Sequence, residues 1–268
     1  MTRGARAPDA CFPPRIRAHG DRRPCHNRAV GTTIDQAICI RQWDWSETSQ
    51  TVSLFCRSHG VMRGLAKGAR RERSSFSGGI DLLARGEIVA VVKPDRELQT
   101  LTAWTLLQMF RRPHDELETN LYALSMAELV HRFVPPGAPH ERLYDALLAS
   151  LERLEEGDRP APEFLRFFTA FLRETGHEPR LEADGIPDAR LAFDPNDGGI
   201  VDFAARPKAW RLRAETLHAL AAVARGEAPE LLEPDSVDRA NRLLSAYARA
   251  IVGDDLVTLR LAVEPRRR

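Results

Sequence analysis

Apolar and polar residues alternate with period two over residues 34–41 and again over Gln50–Cys56. This places Ile38 and Ile40, then Val52, Leu54 and Cys56, on single faces of two strands. Gly60 supplies a turn, and Arg63 falls on the strand that follows it. Further short apolar runs occupy 79–84, 87–92 and 98–104, punctuated by Arg85-Gly86 and Pro94-Asp95. About five short strands in some seventy residues predict a small barrel, which closes its own edges.

Beyond Pro113 the period becomes helical. Leu117, Leu121, Leu124, Tyr122, Leu129 and Phe133 fit a helix that stops at Val134-Pro135-Pro136-Gly137. A second covers 141–155, with Leu143, Leu147, Leu148, Leu151 and Leu154 on one stripe and Gly157 past its end. A third opens at Pro162 and carries Phe164, Phe167, Phe168, Phe171 and Leu172 before Gly176. Two more are expected at 214–225 and 236–252, the latter with Ser236 as N-cap. Between the third and fourth lies a non-helical insert, 180–207, rich in Gly, Asp and Pro.

At 268 residues and 43% hydrophobic content the chain can bury a proper core, and two domains are the natural division. No apolar run reaches the roughly 20 residues needed to span a bilayer. The first thirty or so residues are rich in Arg, Pro and Ala without an apolar core, so they do not read as a secretory signal. Three readings of them stand: a disordered extension, a start codon placed too early, or a basic arm touching nucleic acid. Cys11, Cys25, Cys39 and Cys56 lack CxxC spacing and read as reduced thiols of a cytoplasmic protein.

The formal net charge of +1 conceals an uneven distribution. Residues 57–73 carry six basic side chains and one acidic, about +5, whereas 113–158 carry three basic and ten acidic, about −7. Within the basic block, Arg63, Lys67, Arg70, Arg71 and Arg73 form the kind of local excess that phosphate binding requires. Gly64 and Gly68 allow close approach of a backbone, and Ser74 and Ser75 offer hydroxyls to phosphate oxygens. The plainer reading is a solvated loop. Trp43, Trp45 and Phe76 are candidates for base stacking; core packing is expected for Trp43, Trp45 is open, and Phe76 is expected to pack the barrel mouth. The Phe-rich helix reads as core, with an apolar groove rimmed by Arg166 or Arg173 as the sharper alternative. His131, His140, His177 and His218 lack ligand spacing, Glu155-Glu156 looks solvated, and no GxxxxGK[ST] occurs, so hydrolase and ATPase readings have little support.

The order of these elements, with WSETS (45–49), LFCRSHGVMRGLAKGARRERSSFSGG (54–79), FLRFFTAFLRETGHEPRL (164–181) and FDPNDGGIVDF (193–203), resembles the bacterial recombination mediator family RecO over roughly residues 34–252. The resemblance implies an α+β architecture: an N-terminal OB-fold β-barrel at 34–110, then an α-helical domain at 111–255 whose insert, 180–207, resembles a degenerate zinc ribbon. Residues 1–33 would then be a disordered extension and 256–268 a C-terminal tail. It further implies DNA binding through Arg63, Lys67, Arg70, Arg71, Arg73 and Ser74, annealing of complementary strands, and loading of RecA on single-stranded DNA coated by single-stranded DNA-binding protein, together with RecR. Implied partners are single- and double-stranded DNA, RecR, the acidic Phe-terminated tail of single-stranded DNA-binding protein and, indirectly, RecA. The location would be the cytoplasm, at the nucleoid, and no bond would be made or broken.

Many members carry a four-cysteine zinc site in the insert. Here the four ligand positions fall on Asp184, Pro187, Asp202 and Ala205, so no zinc or other cofactor is expected, and Asp194-Pro195-Asn196-Asp197-Gly198 is expected to turn a metal-free hairpin. An RNA-binding or scaffolding OB-fold protein without mediator activity is the alternative. It explains the barrel and the basic loop but not the helical half.

Overall fold

The computed structural model describes residues 31–76, 78–93 and 96–264. Strands β1 (Gly31–Asp44), β2 (Gln50–Cys56), β3 (Gly60–Ala66), β4 (Arg85–Val92) and β5 (Leu98–Gln108) close into a barrel in the order β1-β2-β3-β5-β4. The β3–β5 pairing is parallel and the others are antiparallel, an OB-like arrangement. Val52, Leu54, Met62, Ile88, Leu101 and Trp104 fill the interior. Gly60 turns the chain between β2 and β3 at φ +65°, and a Cβ there would sit 1.9 Å from the carbonyl oxygen of Ala138. The turn therefore needs glycine both for its dihedral and for its contact with the helical half.

The outer face of β1–β3 is not free. Ile38, Ile40, Phe55 and Val61 join a single core with the helices. Alternation along β1 produces this split, Ala37 and Cys39 facing the barrel and Ile38 and Ile40 the helical core, and a bulge between Cys39 and Arg41 then sets Arg41 opposite Ser53 on the outer face. Cys39 and Cys56 are both buried, and burial pushes their thiols well above the usual range, to about 12 for Cys39, which leaves them chemically inert.

The helices are α1 (Arg112–Asp115), α2 (Leu117–Phe133), α3 (Glu141–Glu156), α4 (Pro160–Glu174), α5 (Ala214–Ala224), α6 (Pro234–Val252) and α7 (Val257–Val263). Helix α3 ends on Gly157 in the left-handed conformation, as its sequence requires. Helix α4 runs through the middle of the bundle with Phe164, Phe167, Phe168 and Phe171 all buried, in accord with the core reading. The insert forms a small sheet, β7 (Gly199–Asp202), β6 (Leu191–Asp194) and β8 (Trp210–Arg211), in that order. Its hairpin turns through residues 195–198 as expected, with Asp194 accepting the backbone N–H of Asn196 at 3.0 Å.

Several expectations are corrected. Residues 79–84 are not a strand: Gly78, Gly79 and Leu83 have φ of +88°, +138° and +62°, which breaks the extended path. The segment still hangs on β1 through Cys39 N–H to Ala84 and Leu83 N–H to Cys39, and Ile80 fills the barrel. The barrel's five strands include β3, the strand on which Arg63 is expected. Strand β1 begins at Gly31, three residues inside the expected extension, and residues 1–30, with Cys11 and Cys25, lie outside the described residues. Helix α4 starts at Pro160, two residues early. Ser236 is not the N-cap; Pro234 occupies the first turn, Glu233 holds the N-cap position without a side-chain hydrogen bond, and the Ser236 hydroxyl accepts from Arg239. Glu155 is not merely solvated, because it accepts the backbone N–H of Arg112 at 2.8 Å and so caps α1. The expected C-terminal tail contains α7, whose Leu259 is buried and whose first turn is capped by Glu128 at 3.0 Å.

Candidate nucleic-acid interface

The basic block emerges from β3 and is pinned against the β1–β2 turn. Gly68 N–H donates to the Ser49 hydroxyl at 3.2 Å and Arg70 N–H to the Thr48 carbonyl at 3.2 Å. The Ser74 hydroxyl donates to the Ala69 carbonyl at 2.7 Å, the Ser75 hydroxyl to Thr102 at 3.0 Å, and the Gln50 side chain accepts Ile80 N–H at 3.0 Å. Phe76 is buried in the barrel mouth, as expected. Both serine hydroxyls donate to backbone carbonyls, which shapes the loop.

The clamp holds the cations outward. Lys67, Arg71 and Arg73 are exposed and form no ion pair among the described residues. Arg70 differs, for its guanidinium lies 2.6 Å from the Asp44 carboxylate at the end of β1. Beside it stands Trp45, 65% exposed at the start of the β1–β2 turn, open for stacking.

A second group lies along the outer face of the barrel. Register sets Arg41, Ser53 and Arg63 side by side across β1, β2 and β3, with Trp43 opposite Thr51 in the next row of that face. Trp43 is 39% exposed, which corrects the expectation of core packing; the Arg41 guanidinium lies 5.0 Å from its ring centroid and His131 of α2 meets it edge-on at 6.2 Å. Ser53 Oγ is 3.3 Å from His131 Nδ1. Burial, then the charges of Arg41, Arg63 and Arg132, push the His131 pKa down to about 4. The imidazole is therefore neutral at pH 7, held so first by its burial and then by the positive charges around it. Arg132 is in turn paired with Asp254.

Arg41 carries no role in the sequence reading, Trp43 enters there as a stacking candidate expected in the core, and His131 as a histidine without ligand spacing. The basic block is visible because its charges are adjacent in the chain, whereas this group is assembled by strand register and one bulge. The Arg-x-Trp spacing at 41 and 43, which shares a face at strand period, was the available signal.

In the helical half, the expected groove rim is tied down. Glu163 of α4 is fully buried and accepts from Ser150 at 2.6 Å, Arg153 Nε at 2.7 Å and Arg166 Nε at 3.0 Å, while Arg166 also pairs with Glu230. Arg173 binds Glu178 and the Ala224 carbonyl. The phenylalanines are sealed in the core. The apolar slot beside them, lined by Leu172, Leu181, Leu220 and Leu244, has a cavity volume of about 10 Å³.

The zinc frame does not fit a metal. Pro187 and Ala205 carry no donor atom, and Asp202 is used by Arg190 at 3.3 Å and by Ala204 N–H at 2.9 Å. The hairpin is held instead by aromatic packing: Phe193 stacks on Trp210 and meets Tyr247 edge-on. Asp158, Glu163 and Glu230 bring carboxylate oxygens within 4.8 Å of one another, but Glu163 already serves two arginines. No helix among the described residues is long and apolar enough to cross a membrane.

Comparison with known proteins accounts for both halves. The N-terminal family model of recombination protein O matches residues 31–110, and the C-terminal model matches 114–260. The chain is 32% identical over 209 residues to the DNA repair protein RecO of Rhodopirellula baltica, covering 75% of this chain and 77% of that one. It is 34% identical over 152 residues to the DNA repair protein RecO of Geobacter metallireducens, covering 56% and 61%, and 35% identical over 119 residues to that of Salinibacter ruber, covering 44% and 46%. With barrel and bundle matched in order over nearly all the described residues, the chain belongs to the RecO family of recombination and DNA repair proteins.

Proposed function

We propose that the protein is a DNA-binding recombination mediator of the RecF-pathway type, which anneals complementary strands and, with RecR, helps RecA load on single-stranded DNA coated by single-stranded DNA-binding protein. The observation that carries the reading is the clamped loop. Three cations with no ion pair among the described residues, Lys67, Arg71 and Arg73, stand with an exposed Trp45 at one edge of the barrel. Such an edge binds phosphate without reading sequence, and it lowers the mutual repulsion of two polyanions brought together on it. No base-edge code is needed, because the second strand supplies the specificity by pairing. The chemistry is positional, with no bond made or broken, and its setting is the nucleoid.

For the acidic tail of single-stranded DNA-binding protein, the reading keeps the helical half as receiver. The buried phenylalanines cannot take it, so the slot at Leu172, Leu181 and Leu220 must open beside Arg173. A labelled tail peptide that fails to bind at low salt counts against this part alone. For the whole reading, complementary oligonucleotides are mixed without nucleotide, with and without RecR. Accelerated annealing supports the mediator; binding without annealing favours a scaffolding or RNA-binding protein.

A further inference from the structure

An arginine three residues ahead of a hydroxyl occurs four times in the chain, before Ser74, Thr169, Thr216 and Ser245. Three of these hydroxyls are shut inside the bundle: Thr169 in α4, Thr216 in α5 and Ser245 in α6 are 7%, 2% and 0% exposed. Of the four, Ser74 alone lies outside a helix, half-buried in the basic loop, with Arg73, Arg71 and Arg70 one, three and four residues ahead of it.

The two serines of this loop are held differently. Ser75 is tied to the barrel, its hydroxyl donating to the Thr102 carbonyl at 3.0 Å and its carbonyl accepting Trp104 N–H at 2.8 Å, both on β5. Ser74 is tied within its own turn, its hydroxyl donating to the Ala69 carbonyl at 2.7 Å and its N–H to the Arg71 carbonyl at 3.0 Å. Extending the chain around Ser74, as a modifying enzyme requires, therefore breaks bonds inside the loop, whereas extending it around Ser75 opens the sheet edge. Arg71 lies across the same turn. Gly68 has a φ of +67°, and a Cβ there would meet Arg71 Cδ at 3.3 Å and Cζ at 3.7 Å, next in the chain to the Ala69 carbonyl that receives the Ser74 hydroxyl. Arg71 holds no ion pair among the described residues.

We propose that Ser74 is a phosphorylation site for an arginine-directed serine/threonine kinase, and that its phosphate folds back on Arg71 and the neighbouring loop cations. In the step itself the Ser74 oxygen attacks the γ-phosphorus of a nucleoside triphosphate, the bond from that phosphorus to its bridging oxygen breaks, and nucleoside diphosphate leaves. The hydroxyl proton passes to the kinase. The esterified oxygen can no longer donate to Ala69, so the turn loses one clip and gains a group of about −1.5 to −2 charge at pH 7. Residues 67–73 carry four cations and one acid, and Arg70 is already matched by Asp44, so the phosphate brings the loop close to neutral. Tethered in the turn, it takes the guanidinium that a DNA phosphate would use. The consequence for DNA rests on the DNA-binding reading above; the site itself does not.

The test uses the full chain in two forms: isolated from the cells that make it, growing and DNA-damaged, for phosphopeptide mass spectrometry, and purified with phosphoserine encoded at position 74. Expected is phosphate on Ser74 in the isolated chain. The encoded phosphoprotein should bind a single-stranded oligonucleotide roughly 25-fold more weakly at about 0.1 M salt, with a salt slope lower by about 1.4, two contacts of roughly 0.7 each. Phosphatase treatment should restore the parent affinity. Without DNA, the phosphorus-31 resonance of the phosphoserine should move on Arg71→Ala, which reads the internal contact directly. Ser74 free of phosphate in the isolated chain overturns the site, and a phosphoprotein that binds as tightly as the parent overturns the switch. Absence of all DNA binding by the parent sinks the underlying reading instead, while phosphate on Ser74 and the Arg71-dependent resonance leave the site standing.

Discussion

Removing the three unpaired cations of the loop, Lys67, Arg71 and Arg73, to alanine should cost far more than removing Arg70, although all four lie within seven residues. The difference is structural: Arg70 must leave the Asp44 carboxylate, 2.6 Å away, before it can serve a phosphate, whereas the other three hold no ion pair among the described residues. Each contact to a single strand contributes a salt slope of roughly 0.7, so the triple variant should lower the slope by about two. At about 0.1 M salt this corresponds to roughly 100-fold in affinity, close to 3 kcal/mol. Arg70→Ala alone should cost less than about threefold, and Asp44→Asn, which frees Arg70, should tighten binding and raise the slope by up to about 0.7. Fluorescence anisotropy of a labelled oligonucleotide at four or five salt concentrations reads all of these. Because the side chains are exposed, stability should change by less than about 0.5 kcal/mol, which a urea titration checks. A triple variant with the parent slope, or an Arg70→Ala loss as large as the triple loss, refutes the reasoning.

His131 is held neutral with a pKa near 4 against an ordinary 6.5, so the unfolded chain binds the extra proton first as the pH falls. Its contribution to stability is complete above about pH 6.5 and is lost between there and pH 4; a urea midpoint that drops over this window in the parent and less in His131→Gln is expected. Phosphates that neutralise Arg41 and Arg63 should raise the same pKa, seen as a DNA-dependent shift of the His131 ring resonances to higher titration pH. Glu163→Gln leaves Arg153 without its carboxylate and Arg166 with Glu230 alone, and should cost about 3 kcal/mol, the low end for breaking a buried pair because both arginines are a third exposed; an unchanged melting curve would contradict the packing described. Chelator-washed protein should carry less than 0.1 equivalent of zinc by mass spectrometry, and a stoichiometric amount would overturn the reading of the insert.

What the sequence revealed follows from what kind of signal each feature leaves. Helices α2 and α3 were legible to within a residue, because leucine periodicity and the breakers Pro135 and Gly157 are local. The hairpin of the insert was legible for the same reason, its turn chemistry lying in five consecutive residues. Residues 79–84 misled because an apolar run marks burial, not extension: Ile80 and Leu83 are buried as the pattern requires, on a backbone that three positive φ values bend. Helix α7 is only seven residues long, and it stands through packing on α2 and the Glu128 cap, neither of which a short window contains. The charge block was plain, but which of its members are free was not. Asp44 lies 26 residues from Arg70, and only the closure of the β1–β2 turn on the loop brings them together. Likewise Arg41, Trp43, Ser53, Arg63 and His131 meet through barrel register, a non-local property with a span of 78 residues between Ser53 and His131.

Backbone hydrogen exchange with and without a single-stranded oligonucleotide tests the central claim most directly, since it reports where DNA lies without altering a residue. The account expects slowed exchange in 45–49 and 67–76, with the helices α5 and α6 unaffected. Protection confined to the helical half, with the barrel edge exchanging as in the free protein, would contradict it.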